Sequence, residues 1–285
     1  MRPPGTLLLF WDYDTQWGTD ADRRRGLPVA PEVGAAEFAC TERLLALHAE
    51  FAIPACFAVV GAAARPGSRP YHDAAQIRRI HAAGHEVASH GLEHEWLPAL
   101  APAPLRRVLA QSRDLLEQCI GAAVHCFVPP YNQPFDYPAA WSFSRSERGL
   151  ATAERTDVTT LCSALAETGY DVCRLAYRSV LRRAVDRIAG REVDRPARVR
   201  RIRGVACVRL NAGCGFGDAA LDRLRQAALG GGLVVAYGHP HSLHGDTAQH
   251  ERFLVPFLRE AAMLRGEGRL RIGLPRDLMP QAAAT

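Results

Sequence analysis

Short apolar runs alternate with longer stretches of helical spacing about seven times along this chain of 285 residues. That alternation restricts the fold more than any other feature. A strand followed by a helix returns to a parallel neighbouring strand through a right-handed crossover. Strands are expected at 6–11 ("TLLLFW"), 55–60 ("ACFAVV"), 86–89 ("EVAS"), 125–129 ("HCFVP"), near 172–176, around 199–203 and 205–210, and at 233–238 ("LVVAYG"). Helical patterns fall at 35–50, 71–84, 103–121, near 157–168 and 179–189, and at 218–229 and 248–265. A Gly/Pro/Arg-rich loop follows the first strand, and 131–149 reads as a long irregular loop of the kind that forms lids or binding surfaces. The candidate architectures are a (β/α) barrel and an open doubly wound sheet. Barrels often run to this length as one unit, so residues 1–285 are expected to form a single domain.

Composition narrows the function. With 48% hydrophobic and 23% charged residues the chain can bury a sizeable core. The net charge of +5 is a mild excess, densest in "RPARVRRIRG" at 195–204. No aromatics interleave with that run and no nucleic-acid motif accompanies it, so it reads as a solvated face or a charged edge strand. The eight cysteines form no C-x-x-C pair, and most lie in apolar runs. Free thiols are expected rather than a disulfide framework or a zinc ribbon. No G-x-G-x-x-G follows the first strand and no G-x-x-x-x-G-K occurs, so a nucleotide cradle lacks support. The apolar run near the start is too short for a signal segment, and none reaches the roughly 18 residues of a membrane span. A cytoplasmic, soluble protein is expected.

In parallel α/β folds the site lies at the C-terminal ends of the strands. Asp12 and Asp14 follow the first strand, in "WDYD"; His90 and His94 follow the third, in "HEVASHGLEH". Tyr131 and Asn132 follow the fourth, and His239, His241 and His244 follow "LVVAYG". On a helix or tight turn, His90 and His94 would project from one face and could hold one divalent ion. A carboxylate from another strand would complete three protein ligands, the pattern of a catalytic metal site. Alternation along a strand puts Asp12 and Asp14 on the same side, so either could be that carboxylate. His81 and His85 read as structural, and His48, His125 and His250 belong to no constellation.

These residues resemble the motifs of the polysaccharide deacetylases, the family 4 carbohydrate esterases. "FWDYD" resembles the first motif, "HEVASHGLEHE" the second, "CFVPPYN" the third, and "VVAYGHPH" the late strand that ends in a histidine; they occur in the family's order between residues 6 and 241. The resemblance implies a single-domain distorted (β/α)7-type barrel. It also implies that Asp14, His90 and His94 hold the metal, that Asp12 is the general base and His239 the general acid, and that the Tyr131 N–H helps stabilise the oxyanion. Three departures stand out. Tyr13 separates two aspartates that are adjacent in most of the family, which leaves open which of them binds metal. Val128 replaces the third motif's arginine, for which Arg174 or an arginine of 201–209 could substitute. The fourth motif, with its aspartate and tryptophan, has no counterpart in this sequence.

The expected activity is metal-dependent hydrolysis of the acetamido group of an N-acetylated sugar or glycoside, an intracellular biosynthetic intermediate. The cofactor is one divalent ion, Zn2+ or another first-row metal. The alternatives are a metal-independent, allantoinase-like cyclic-amide hydrolase and a non-catalytic glycan-binding barrel. No nucleic-acid partner and no membrane span are expected, and His241 should lie on a loop with a packing or substrate-contact role.

Overall fold

The computed structural model describes residues 3–30, 32–134, 155–175, 188, 199–212, 214–245 and 252–279. In chain order the elements are β1 (Gly5–Tyr13), α1 (Thr15–Arg24), α2 (Val33–Phe51), β2 (Cys56–Val59), α3 (Ala74–Ala82), β3 (Glu86–Ser89), α4 (Pro102–Ile120) and β4 (Cys126–Phe127). They continue with α5 (Val158–Glu167), β5 (Val172–Leu175), β6 (Arg200–Ile202), β7 (Val205–Arg209), α6 (Asp218–Gly230), β8 (Gly232–Gly238), α7 (Val255–Gly266) and β9 (Leu270–Gly273). The expected helix near 179–189 and most of the 131–149 loop lie outside the described residues, as does the start of the helix expected at 248–265.

The nine strands form one curled sheet in the order β6-β7-β5-β4-β3-β2-β1-β8, with β9 beside the start of β1. All described pairs are parallel except β6 with β7. That exception corrects the expectation of uniformly parallel strands. Arg203 and Gly204 both take positive φ, 52° and 88°, and a two-residue turn of that hand joins antiparallel neighbours. β6 is the sheet's outer edge, with Arg200 and Arg201 exposed, so the basic run does mark a charged edge strand. At the other side, the chain leaving β7 runs along β8: Ala212 N–H donates to Val235 O at 3.2 Å and Gly215 N–H to Tyr237 O at 3.0 Å. These bonds draw the two ends of the sheet together into a distorted (β/α)7-type barrel.

Alternation along the strands separates two cores. Leu7, Leu9, Trp11 and Tyr13 of β1 face outward beneath the helices, against Phe38, Leu44, Phe57 and Phe257. Leu8 and Phe10 face the lumen with Ala58, Ala88, Val128, Val172, Val208 and Val235, and Leu278 and Met279 pack against that cluster. Asp73 and Asp157 cap α3 and α5 by accepting from Gln76 N–H and Thr160 N–H. α1 was expected to be loop. Its buried positions are Thr15, Gln16, Gly18, Thr19 and Ala21, so it has no apolar stripe to reveal it.

Candidate metal centre and its charged neighbours

β1 sets the first two carboxylates. Tyr13 points outward, and its hydroxyl donates to Gln76 Oε1 at 2.7 Å under the helices. Its two neighbours therefore face the lumen, as the alternation predicts. Beyond β1 the chain turns sharply into α1, with Thr15 at φ 56°. Gly18 lets that helix lie against Asp14: a Cβ there would stand 2.5 Å from the aspartate's Cβ.

His90 and His94 lie on a tight turn rather than a helix, the second of the two geometries that the spacing allowed. Gly91 at φ 79° and His94 at φ 60° fold the segment into a tight loop that brings the rings together, with centroids 5.1 Å apart. Their Nε2 atoms lie 3.3 Å and 3.6 Å from one oxygen, Asp14 Oδ1. The ligand atoms of Asp14, His90 and His94 all lie within 4.8 Å of one another. Asp14 Oδ1 is buried with no hydrogen-bond partner, a costly arrangement for a carboxylate unless an ion meets it. His90 Nδ1 lies 2.7 Å from Val128 O; a carbonyl can only accept, so this nitrogen holds the proton and Nε2 faces inward. Burial holds the His94 pKa down to about 4, while Asp12 and Asp14 raise that of His90 despite its burial. Burial works against Asp14 too, but the two histidines outweigh it and keep the acid well below its ordinary range. The donor set, one carboxylate and two imidazoles, fits a divalent first-row ion.

Asp12 sits in a different setting. Arg174 of β5 is fully buried and grips it at both oxygens: Nη1 donates to Oδ1 at 2.7 Å and Nη2 to Oδ2 at 2.6 Å. Nη2 also donates to Asn132 Oδ1 at 3.1 Å, and the guanidinium lies 4.5 Å from the centre of the Tyr237 ring. Burial would raise the Asp12 pKa, but Arg174 and His90 lower it below the usual carboxylate value. Val128 is packed in the lumen, and the arginine that contacts Asp12 arrives instead from the next strand, as Arg174. Arg201 and Arg203 lie exposed at the sheet's edge strand and the turn after it.

Tyr131 takes a left-handed conformation, φ 58°. Its ring packs between His94 (4.6 Å) and Trp96 (5.5 Å), and the Arg25 guanidinium lies 3.7 Å above the Trp96 ring and 4.7 Å above Tyr131. These rings form an aromatic wall beside the candidate ligands.

After β8, His239 Nε2 lies 3.8 Å from Asp14 Oδ2 and 4.0 Å from Asp12 Oδ2. Burial lowers its pKa. His241 is not a detached loop residue. It sits on the short turn Pro240–Leu243, with Nδ1 3.6 Å from Oε1 of Glu37, a carboxylate on α2 with no exposed surface. The other oxygen of Glu37 accepts from Thr15 N–H. Burial disfavours charge on His241, but Glu37 outweighs it and raises the ring's pKa. Sequence reasoning passed over Glu37 because it looks like one more charged residue on an amphipathic helix; no local signal distinguishes it. His81 takes no part in the site. His85 lies at the opposite end of β3, where its Nδ1 accepts from Ala55 N–H at 3.1 Å.

The eight cysteines are all free, as expected. No helix among the described residues is long and apolar enough to cross a membrane.

Residues 34–141 match the sequence model of the polysaccharide deacetylase family. Over 92 residues the chain is 38% identical to a chitooligosaccharide deacetylase of Sinorhizobium fredii, a stretch that spans 32% of this chain and 40% of that protein. The whole chain superposes on a putative polysaccharide deacetylase of Mycobacterium smegmatis with a TM-score of 0.63 at 19% identity, covering 95% of that structure. It also superposes over 98% of its length, and 68% of the other's, on a mutant of a CE4 family pseudoenzyme with restored enzymatic activity, with a TM-score of 0.53 at 12% identity. The matched stretch holds the His90–His94 segment, so this part of the chain carries a sequence similar to the polysaccharide deacetylase family, and the chain as a whole shares the fold of these structures.

Proposed function

We propose that the protein is a metal-dependent de-N-acetylase that hydrolyses the acetamido group of an N-acetylated sugar or glycoside. The observation that carries this reading is the buried, unpartnered Asp14 Oδ1 facing two imidazole nitrogens, with a second carboxylate clamped beside it by Arg174. Asp14, His90 and His94 would hold the ion, which supplies Lewis acidity to the carbonyl and to water. Zn2+ is the first candidate, and other first-row ions suit the same donors.

Asp12 is the base. Arg174 keeps it ionised and fixes its plane, so it is ready to take a proton from water rather than rotating out of reach. The Tyr131 N–H is the proposed donor to the carbonyl oxygen as negative charge builds there. His239 stands across from both aspartates and is placed to deliver a proton to the departing amine. Its neighbour His241, with ring centroids 5.1 Å apart, keeps its charge through Glu37 and can sustain that proton supply. The aromatic wall of Tyr131 and Trp96 suits the flat apolar face of a sugar ring. An intracellular biosynthetic intermediate is the proposed setting, and the deacetylase name of the Sinorhizobium relative favours a chitooligosaccharide-like substrate.

The test is acetate release from N-acetylated chitooligosaccharides by purified protein, alongside elemental analysis and chelation. Activity lost with a chelator and restored by Zn2+ is expected. Asp12→Asn should retain the ion and lose turnover, while Asp14→Asn should lose both. Chelator-insensitive hydrolysis would refute metal dependence; bound ion with no turnover on any N-acetyl sugar would refute the deacetylase reading.

A further inference from the structure

The lumen carries a second cluster of metal-binding side chains, at the end of the strands away from Asp14. Cys56, Glu86 and Cys126 come from the adjacent strands β2, β3 and β4, and Cys56 and Glu86 are direct partners in the ladder. Their ligand atoms all lie within 4.8 Å of one another. Both cysteines have no exposed surface, and Glu86 is 7% exposed. Glu86 begins β3 and His90 follows its end, so at ~3.3 Å per residue the two clusters are about 13 Å apart.

The carboxylate is what needs explaining. The two cysteines beside it belong to the apolar lumen cluster that also holds Leu8, Ala58, Ala88 and Val172. The carboxylate's described hydrogen bond is from Arg276 N–H to Oε2, at 3.0 Å, in the turn Pro275–Leu278. Burial raises the Glu86 pKa to about 7, and neither that backbone donor nor the charges of Arg276 and His125 offset it. An acid held inside an apolar lumen normally has a counter-charge or a metal. Two thiols beside it supply soft donors, and thiolate with carboxylate is a donor set for Zn2+ and ions like it. The thiol pair Cys162 and Cys207, with sulfurs 3.6 Å apart, makes a useful contrast: no third ligating side chain completes a group there among the described residues.

We propose that Cys56, Glu86 and Cys126 form a second site, for a thiophilic divalent ion that braces the floor of the barrel and takes no part in hydrolysis. Binding replaces two thiol protons by one doubly charged ion. The net charge of the cluster with Glu86 ionised is therefore unchanged, and two protons pass to solvent.

Co2+ titration of the full chain in the His90→Ala background, where the rim site is disabled, tests this independently of the deacetylase reading. One equivalent should bind with a thiolate-to-cobalt charge-transfer band in the near ultraviolet and, in weakly buffered solution well above pH 7 where Glu86 is ionised, release of two protons per ion. Cys126→Ala and, separately, Cys56→Ala should abolish the band, Glu86→Gln should weaken binding tenfold or more, and Cys214→Ser should change nothing. Far-ultraviolet circular dichroism confirms that each variant is folded; if one cysteine variant is not, the other decides. No charge-transfer band in His90→Ala, or a band that survives both cysteine substitutions, would overturn the proposal.

Discussion

The strands β1 to β4 and the strands β5 to β8 build opposite sides of the rim, and they contribute different things. The first group places the candidate ligands. Asp14, His90 and His94 converge through short turns after regular parallel strands, and their geometry is set by local backbone: a left-handed glycine, a left-handed histidine and a strand period of two. The second group places charge. Arg174 reaches across the lumen to Asp12, His239 stands near both aspartates, and His241 beside it faces Glu37. One side fixes where an ion can sit and the other fixes which groups around it carry protons. Damage to the two sides should therefore be separable.

The largest effect is expected on the first side. His90→Ala or His94→Ala removes one of three protein ligands, so metal content at the rim should fall to background and acetate release with it. Stoichiometric rim metal in either variant, measured after Cys126→Ala removes the floor cluster, would break the assignment of that side.

On the other side, Arg174→Met should leave ion binding intact while stranding Asp12 as an unpaired buried acid. Losing one partner of such a pair costs about 3–5 kcal/mol. Asp12 should then titrate at higher pH, so the acidic limb of the rate profile should move upward. An unchanged profile with a normal urea midpoint would mean that the clamp is ornamental.

Smaller and sharper is the contrast between two histidines two residues apart. His239→Ala should lower kcat on the order of 10²–10⁴ with metal unchanged. His241→Ala should act first on stability, costing about 1–3 kcal/mol, because it leaves the Glu37 carboxylate buried without its partner. Adding Glu37→Gln to His241→Ala should recover most of that stability without restoring turnover. If the double variant is no more stable than His241→Ala alone, the pair does not stabilise the rim.

A last effect, comparable in size to that of His241, is a pH slope from two buried histidines away from the rim. Burial holds His48 at about 3 and His85 at about 4, both below the free value of 6.5. Below pH 6.5 the unfolded chain takes up protons that the folded chain refuses. The stability from these neutral rings is thus complete above that pH and lost as pH falls toward 4. Each ring contributes a slope approaching about 1.4 kcal/mol per pH unit. Urea midpoints of chelated protein between pH 7 and 5 should fall accordingly; a flat profile would contradict the burial of both rings.

What could be read from the sequence follows the same division. β1, β2, β3 and α4 are bounded by turn residues and carry strong apolar patterns, so their places were legible, as was the convergence of Asp14, His90 and His94 at the strand ends, with β3 matching residue for residue. α1 was not, because its buried face is polar and small and only tertiary contact makes it helical. The hairpin of β6 and β7 turned on Arg203-Gly204, a pair that carries the turn signal but lies inside a run that reads as charge. Arg174 and Asp12 are 162 residues apart, and no local pattern links an arginine in an apolar strand to a carboxylate that far away. Glu37 was hidden for the same reason. Partners that meet only across a barrel leave no spacing to read.

The close approach of α1 to Asp14 has a consequence for anyone who wishes to toughen this protein. Replacing a helical glycine by alanine is a standard route to thermostability, since it narrows the freedom of the unfolded chain by ~0.4–1 kcal/mol. Gly18, inside a ten-residue helix, looks like the obvious target. Its new methyl would land 2.5 Å from Asp14 Cβ and 3.1 Å from Cγ, so the helix or the aspartate must yield. A consensus or computational redesign that scored helix propensity alone would select this change and lose the catalyst. Position 18 should be frozen before any stabilising library is built.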